Sequence, residues 1–126
     1  DGIIECARTC LENGIPVGLG TDTGCPYITH YDMWRELNYY HKYCGVSRAF
    51  ALYTATKLNA RLAGIGDVTG SIEEGKCADF VVTRENPLED LQALRNIDMV
   101  VARGHIIRRP KVKKMPEVER QLDKFL

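Results

Sequence analysis

Four apolar or glycine residues, Val17-Gly18-Leu19-Gly20, run without a polar break into Thr21-Asp22-Thr23-Gly24. So short and apolar a run suits a strand covered on both faces, as in a parallel sheet. Upstream, Ile3, Ile4, Ala7, Cys10 and Leu11 recur at helical spacing, with Asp1 placed to cap the helix and Asn13-Gly14 to end it. Helix, turn and buried strand together make one half-step of a parallel α/β fold.

Downstream, the pattern predicts a helix over about residues 31–43, with Met33, Leu37, Tyr40 and Cys44 on one face and Gly45 beyond. Ser47 is placed to cap a third helix through Ala49, Leu52, Tyr53 and Ala55. Thr56 is placed to cap a short fourth helix with Leu58, Leu62 and Ala63 inward. From Gly70 the character changes to strand and turn. Residues 78–83 read as a strand, and Pro87 as the start of a helical turn through Leu91 and Leu94. Residues 97–102 and 105–108 read as two strands joined tightly at Arg103-Gly104. Pro116 opens a last helix with Val118, Leu122 and Phe125 on one stripe. The chain divides near Ile65, giving an α/β segment over 1–64 and a β-rich segment over 65–126.

Seventeen basic residues balance seventeen acidic ones, which argues against a nucleic-acid binder needing a cationic surface. The basic run Arg108-Arg109-Pro110-Lys111-Val112-Lys113-Lys114 has no interleaved aromatics and reads as a solvated connector. No apolar run approaches the roughly 20 residues of a membrane span, and no secretory signal is visible. Five cysteines without a C-x-x-C pair read as unpaired thiols, which makes the cytoplasm the expected compartment. Cys6 and Cys10, four apart, are expected as small buried residues on one helix face.

Asp22 is open to two readings. Asp-Thr-Gly is good turn chemistry, so the residue can simply organise a turn. A carboxylate at the C-terminal end of a buried parallel strand also stands where barrels and open α/β sheets place their active sites. There it can act as a base toward a metal-bound water or as a ligand to that metal.

Three segments in order bear on the choice. They are Gly20-Thr21-Asp22-Thr23-Gly24; Ala55-Thr56-x-x-Asn59-Ala60 with Ala63; and Gly70-Ser71-Ile72-x-x-Gly75-Lys76-x-Ala78-Asp79-Phe80. Asn86-Pro87-Leu88 and Val100-Val101-x-x-Gly104 continue the pattern. From about residue 10 to 109 the chain resembles the C-terminal part of the metal-dependent amidohydrolase superfamily, nearest to imidazolonepropionase-like and Xaa-Pro dipeptidase-like members. The resemblance implies an α/β fold: strand eight of a (β/α)8 barrel with its following helices over 1–64, then strands of the accessory β-sandwich domain over 65–126. It also implies that Asp22 contacts a divalent metal, zinc first among candidates, and shuttles a proton during hydrolysis of an amide or peptide bond in a small substrate, a dipeptide being one. His30 resembles a position on the loop lining the substrate pocket.

Such enzymes take further ligands from a His-x-His pair and later histidines; this sequence has no His-x-His, and its three histidines fit none of those places. A catalytic zinc needs about three protein ligands, and Asp22 is one. The expected partner is therefore the missing N-terminal barrel portion, and the isolated chain is expected to lack activity and to self-associate or form a homo-oligomer. His41 reads as structural and His105 as exposed, and Tyr39, Tyr40 and Tyr43 read as packing residues. Two rivals remain. An aspartic protease shares Asp-Thr-Gly, but the helical run over 31–63 conflicts with its all-β fold. A non-catalytic C-terminal binding or assembly module would leave Asp22 a relic.

Overall fold

The structure is a computed structural model that describes residues 2–126. The chain forms α1 (Gly2–Glu12), α2 (Met33–Cys44), α3 (Arg48–Tyr53), a π turn (Thr54–Leu58) and α4 (Asn59–Leu62). Next come β1 (Phe80–Thr83), a 3-10 turn (Leu91–Arg95), β2 (Ile97–Ala102), β3 (His105–Arg108), α5 (Pro116–Leu122) and a terminal 3-10 turn (Asp123–Phe125). The expected capping role of Asp1 falls outside the described residues.

The core forms around α2. Leu37 and Tyr40 pack on Ala51 of α3 and on Leu91 of the 3-10 turn, all nearly inaccessible to solvent. Leu91 comes from the β-rich segment, so one core draws on both parts of the sequence. Ser47 caps α3 as expected, accepting a hydrogen bond from the Phe50 N–H at 3.1 Å. Asp90 does the same for the 3-10 turn through Gln92 N–H at 2.9 Å, which places the helical turn after Pro87 at 91–95.

Several expectations are corrected. Residues 17–20 form no strand, because no neighbouring strand among the described residues offers them a ladder. Val17 and Leu19 are half-buried and the two glycines exposed. Thr56 caps nothing. It lies inside a π turn that joins α3 to α4 without a break, and its hydroxyl bonds back to the Leu52 carbonyl at 2.7 Å. Leu62 and Ala63 are exposed, not inward. No residue of α1 is buried, so Cys6 is exposed and Cys10 only half-buried. In α5 the buried residue is Glu119, whereas Phe125 is exposed and Val118 and Leu122 are half-buried.

The three strands form an antiparallel sheet in the order β1-β2-β3. Phe80 pairs with Val101, and the register shifts between Val82 and Thr83. Arg103 (φ 49°) and Gly104 (φ 79°) both lie left-handed between paired Ala102 and His105, the two-residue geometry whose twist matches that of the strands. Asp79 stitches this turn to the approach to β1. It accepts the Arg103 N–H at 2.6 Å and the Thr69 hydroxyl at 2.8 Å. Those two hydrogen bonds hold its carboxyl below the usual range. His105 is exposed, as are all four residues of β3.

α5 and the terminal turn dock on α2 through charge. Arg35, 3% exposed, meets Asp32 at 3.3 Å, Glu119 at 3.4 Å and Asp123 at 2.7 Å. Arg95 reaches the same Glu119 and Asp123 at 3.2 and 3.3 Å. The Arg35 and Arg95 guanidiniums both lie over the Trp34 ring, 4.6 and 4.9 Å from its centre. Lys42 donates to the Phe125 and Leu126 carbonyls at 3.0 and 2.8 Å. The basic run at 108–114 is a connector between β3 and α5, exposed except for the half-buried Pro110.

Candidate active site

The extended segment 17–20 is held from the side by one helical residue. The Leu19 N–H donates to Asn59 Oδ1 at 2.9 Å, and Asn59 Nδ2 donates to the Leu19 carbonyl at 2.8 Å. Two such bonds exchanged with one residue are what a neighbouring antiparallel strand would supply.

Three residues further on, Asp22 stands on an exposed loop with φ 51°, a left-handed conformation that aspartate tolerates better than most residues. The Cys25 N–H donates to the Asp22 carbonyl at 3.4 Å, and Cys25 Sγ lies 3.6 Å from Asp22 Oδ2. The flanking hydroxyls of Thr21 and Thr23 bond to one another at 2.6 Å, leaving the carboxylate between them turned to solvent. The backbone of Asp22 makes the turn, and its side chain is exposed.

His30 is exposed, its ring packed edge-on against Tyr31 with centroids 5.6 Å apart. Its neighbour Thr29 is buried and donates to Asp32 Oδ2 at 2.8 Å, so the loop is anchored right beside the histidine. No hydrogen bond among the described residues joins His30 to Asp22. His41 is structural: its Nδ1 lies 2.6 Å from the Val46 carbonyl. Of the tyrosines, Tyr40 is in the core, and Tyr39 and Tyr43 pack tilted at 5.9 Å.

No group of three or more His, Cys, Asp or Glu side chains able to hold a metal ion occurs among the described residues. With about three protein ligands needed for a catalytic zinc, the donors present do not make up such a centre.

An apolar groove of about 1070 Å³ runs between α1, residues 17–20 and α2, and Ile4, Leu19, Tyr39 and Tyr43 are among its lining. It stops at Gly20, short of Asp22.

Sequence reasoning missed what Asn59 does. The signal was there: asparagine is a poor helix former, and here it sits mid-helix among Ala55, Leu58 and Ala60. It missed the Asp32–Arg35–Arg95–Glu119–Asp123 cluster altogether, since nothing local pairs charges some ninety residues apart.

Residues 3–107 match the Amidohydrolase family, and the chain belongs to it. The expected likeness to imidazolonepropionases and Xaa-Pro dipeptidases is borne out. The chain is 30% identical to the imidazolonepropionase of Thermoplasma acidophilum over 104 residues, which are 80% of this chain and 25% of that protein. It is 31% identical over 100 residues to the guanine deaminase of Escherichia coli (strain K12), 74% of this chain and 22% of that protein. Among solved structures, a provisionally assigned prolidase from Bifidobacterium longum superposes with a TM-score of 0.93 at 42% identity, covering 96% of this chain and 30% of that one. A Xaa-Pro dipeptidase with methionine bound in its active site gives a TM-score of 0.77 at 35% identity, covering 84% of this chain and 25% of that one. The chain thus spans about a quarter of the length of the curated relatives it matches. Proteins of the family are generally metal-dependent. No helix among the described residues is long and apolar enough to cross a membrane.

Proposed function

We propose that this chain is the C-terminal portion of a metal-dependent hydrolase acting on C–N bonds of small amides, with dipeptides the first substrate class to test. The observation that carries the reading is the exposed Asp22 carboxylate at the end of the clamped segment 17–20, in a chain of the amidohydrolase family. In this reading residues 1–64 are strand eight and the following helices of a (β/α)8 barrel, and residues 65–126 belong to the accessory β domain. Asp22 takes up the proton of the attacking water at its carboxylate and returns it to the leaving nitrogen. It also contributes one ligand to a divalent metal, zinc first among candidates, with the remaining ligands upstream. His30, on the loop beyond, contacts substrate.

The uncovered apolar surfaces support a partner. The groove beside Leu19 and α1, whose Ile3 is 88% exposed, is the kind of face that a barrel covers with its neighbouring strands and helices. The same surfaces favour self-association of the isolated chain. The five free thiols suit a reducing compartment, the cytoplasm.

The test begins with the protein expressed from its natural gene, its intact mass and its bound metal. Purified protein is then assayed on dipeptides and N-acylated amino acids, with and without a chelator. Hydrolysis that the chelator stops and zinc restores supports the reading. A natural product of 14.2 kDa with no metal and no turnover would sink it and leave a C-terminal assembly module.

A further inference from the structure

We infer that Asn59 is the positioning residue of the Asp22 site: its carboxamide clamps Leu19 and thereby sets where the Asp22 loop leaves the helix surface. This rests on Asp22 being the reacting carboxylate.

Four observations converge on the clamp. Among the described residues, the two bonds to Asn59 are the hydrogen bonds that residues 17–20 make, so the height of the segment is set at one point. The close approach needs Gly18, since a Cβ there would lie 3.0 Å from Asn59 Oδ1 and 3.3 Å from Leu62 Cδ1. The backbone immediately before Asn59 is the π turn, closed by the Asn59 N–H on the Thr54 carbonyl five residues back. One residue more per closure rotates the downstream helix by about 100° relative to an uninterrupted α-helix, and Asn59 is the first residue to receive that rotation. The far side of the same helical turn is braced too. Gly70, at φ +92°, sits where a Cβ would come 2.4 Å from Ala60 Cβ and 3.0 Å from the Thr56 carbonyl. The carboxamide thus sits on a helix approached closely by Gly18 of the segment it grips and by Gly70.

The clamp acts through backbone alone. Leu19 needs its N–H and carbonyl, not its side chain, and only a primary amide offers one acceptor and one donor at that spacing. Asn59→Asp keeps the acceptor for Leu19 N–H but turns a second carboxylate oxygen on the Leu19 carbonyl. Asn59→Ala removes both partners.

The experiment uses the full-length protein with Asn59→Ala, Asn59→Asp and Gly18→Ala, each checked for an unchanged circular dichroism spectrum. Amide exchange at Leu19 and a crystal structure of each folded variant report on the clamp without reference to activity; steady-state kinetics on the amides that the parent protein hydrolyses report on Asp22. Expected are exchange at Leu19 about tenfold faster in Asn59→Ala, displacement of residues 20–24 by more than about 0.5 Å, and kcat lower by up to about 10²-fold with KM within about threefold. Asn59→Asp and Gly18→Ala should fall between the extremes. Unchanged exchange, residues 20–24 left in place, or an unchanged kcat in Asn59→Ala would each overturn the proposal. If the parent protein hydrolyses none of the amides, it is the hydrolase reading that falls, and the exchange and crystallographic results alone decide whether the clamp exists.

Discussion

The Arg35 guanidinium meets the Asp123 carboxylate at 2.7 Å, joining α2 to the end of the chain across 88 residues of sequence. Around that contact three carboxylates, Asp32, Glu119 and Asp123, face two guanidiniums, Arg35 and Arg95. The charges balance if one carboxyl keeps its proton, and Glu119 is the one placed to do so. Burial, a hydrogen bond to Asp32 and the charge of Asp32 push it up from 4.5. Burial also works on Asp32 and Asp123. For Asp32, bonds with Glu119, Thr29 and Trp34 outweigh it, and for Asp123 bonds from Arg35 and Arg95 do, so both stay below 3.8.

The docking of α5 should therefore depend on pH in two opposed ways. The contribution of Glu119 is complete below pH 4.5 and is lost as pH rises through its raised folded value. Those of Asp32 and Asp123 are present above pH 3.8 and are lost as pH falls. Urea unfolding across this range should show stability declining on the alkaline side of its maximum. Glu119→Gln should flatten that decline, leaving the slope due to Glu36, which burial also raises. An unaltered slope in Glu119→Gln would refute the assignment.

Removing the central cation should cost far more than removing the proton. Arg35→Met leaves the buried Asp32 carboxylate without a cation and Glu119 and Asp123 with Arg95 alone, and about 3–5 kcal/mol of unfolding free energy should go with it. Denaturant titration at pH 7 measures it; a loss under about 1 kcal/mol would mean the network is solvated.

Leu91→Ala should destabilise the α2 core although residue 91 belongs to the β-rich segment. At 1% exposure, packed with Leu37, Tyr40 and Ala51, it should cost about 2–5 kcal/mol. Exchange at the α2 amides should accelerate in parallel. Protection of α2 left intact would show that the two parts of the chain do not share one core.

Asp22→Asn removes a proton acceptor from an exposed position, so the full-length protein should fold with the same Tm while kcat falls by about 10²–10⁴-fold. Turnover near the parent level would return Asp22 to a turn-forming role.

Much of this arrangement was legible in the residues. The α2 stripe, the Ser47 cap and the left-handed pair at Arg103-Gly104 carry their geometry within a few positions, where periodicity and turn chemistry act. Asp22 was legible as an acidic residue just beyond the apolar run 17–20, and its side chain is exposed. Illegible were the features set by distant chain. Residues 17–20 have the composition of a strand but, among the described residues, no strand beside them. Glu119 reads as a solvent-facing charge until Arg35 and Arg95 are placed around it. Thr56 has the hydroxyl of a cap, and so the sequence offers two helices where one continuous run exists, the hydroxyl bonding back to Leu52 instead.

That turn makes the helix a counted object. Between Ser47, where the helix is anchored, and Asn59, where it grips Leu19, the number of residues matters more than their kind. Trading Thr56 or Lys57 for another side chain leaves the tally intact, whereas dropping either lets an ordinary helix form and swings the carboxamide off its target. The segment is open to spelling changes and closed to frame changes of a single residue, like a gear whose teeth can be recut but not reduced in number.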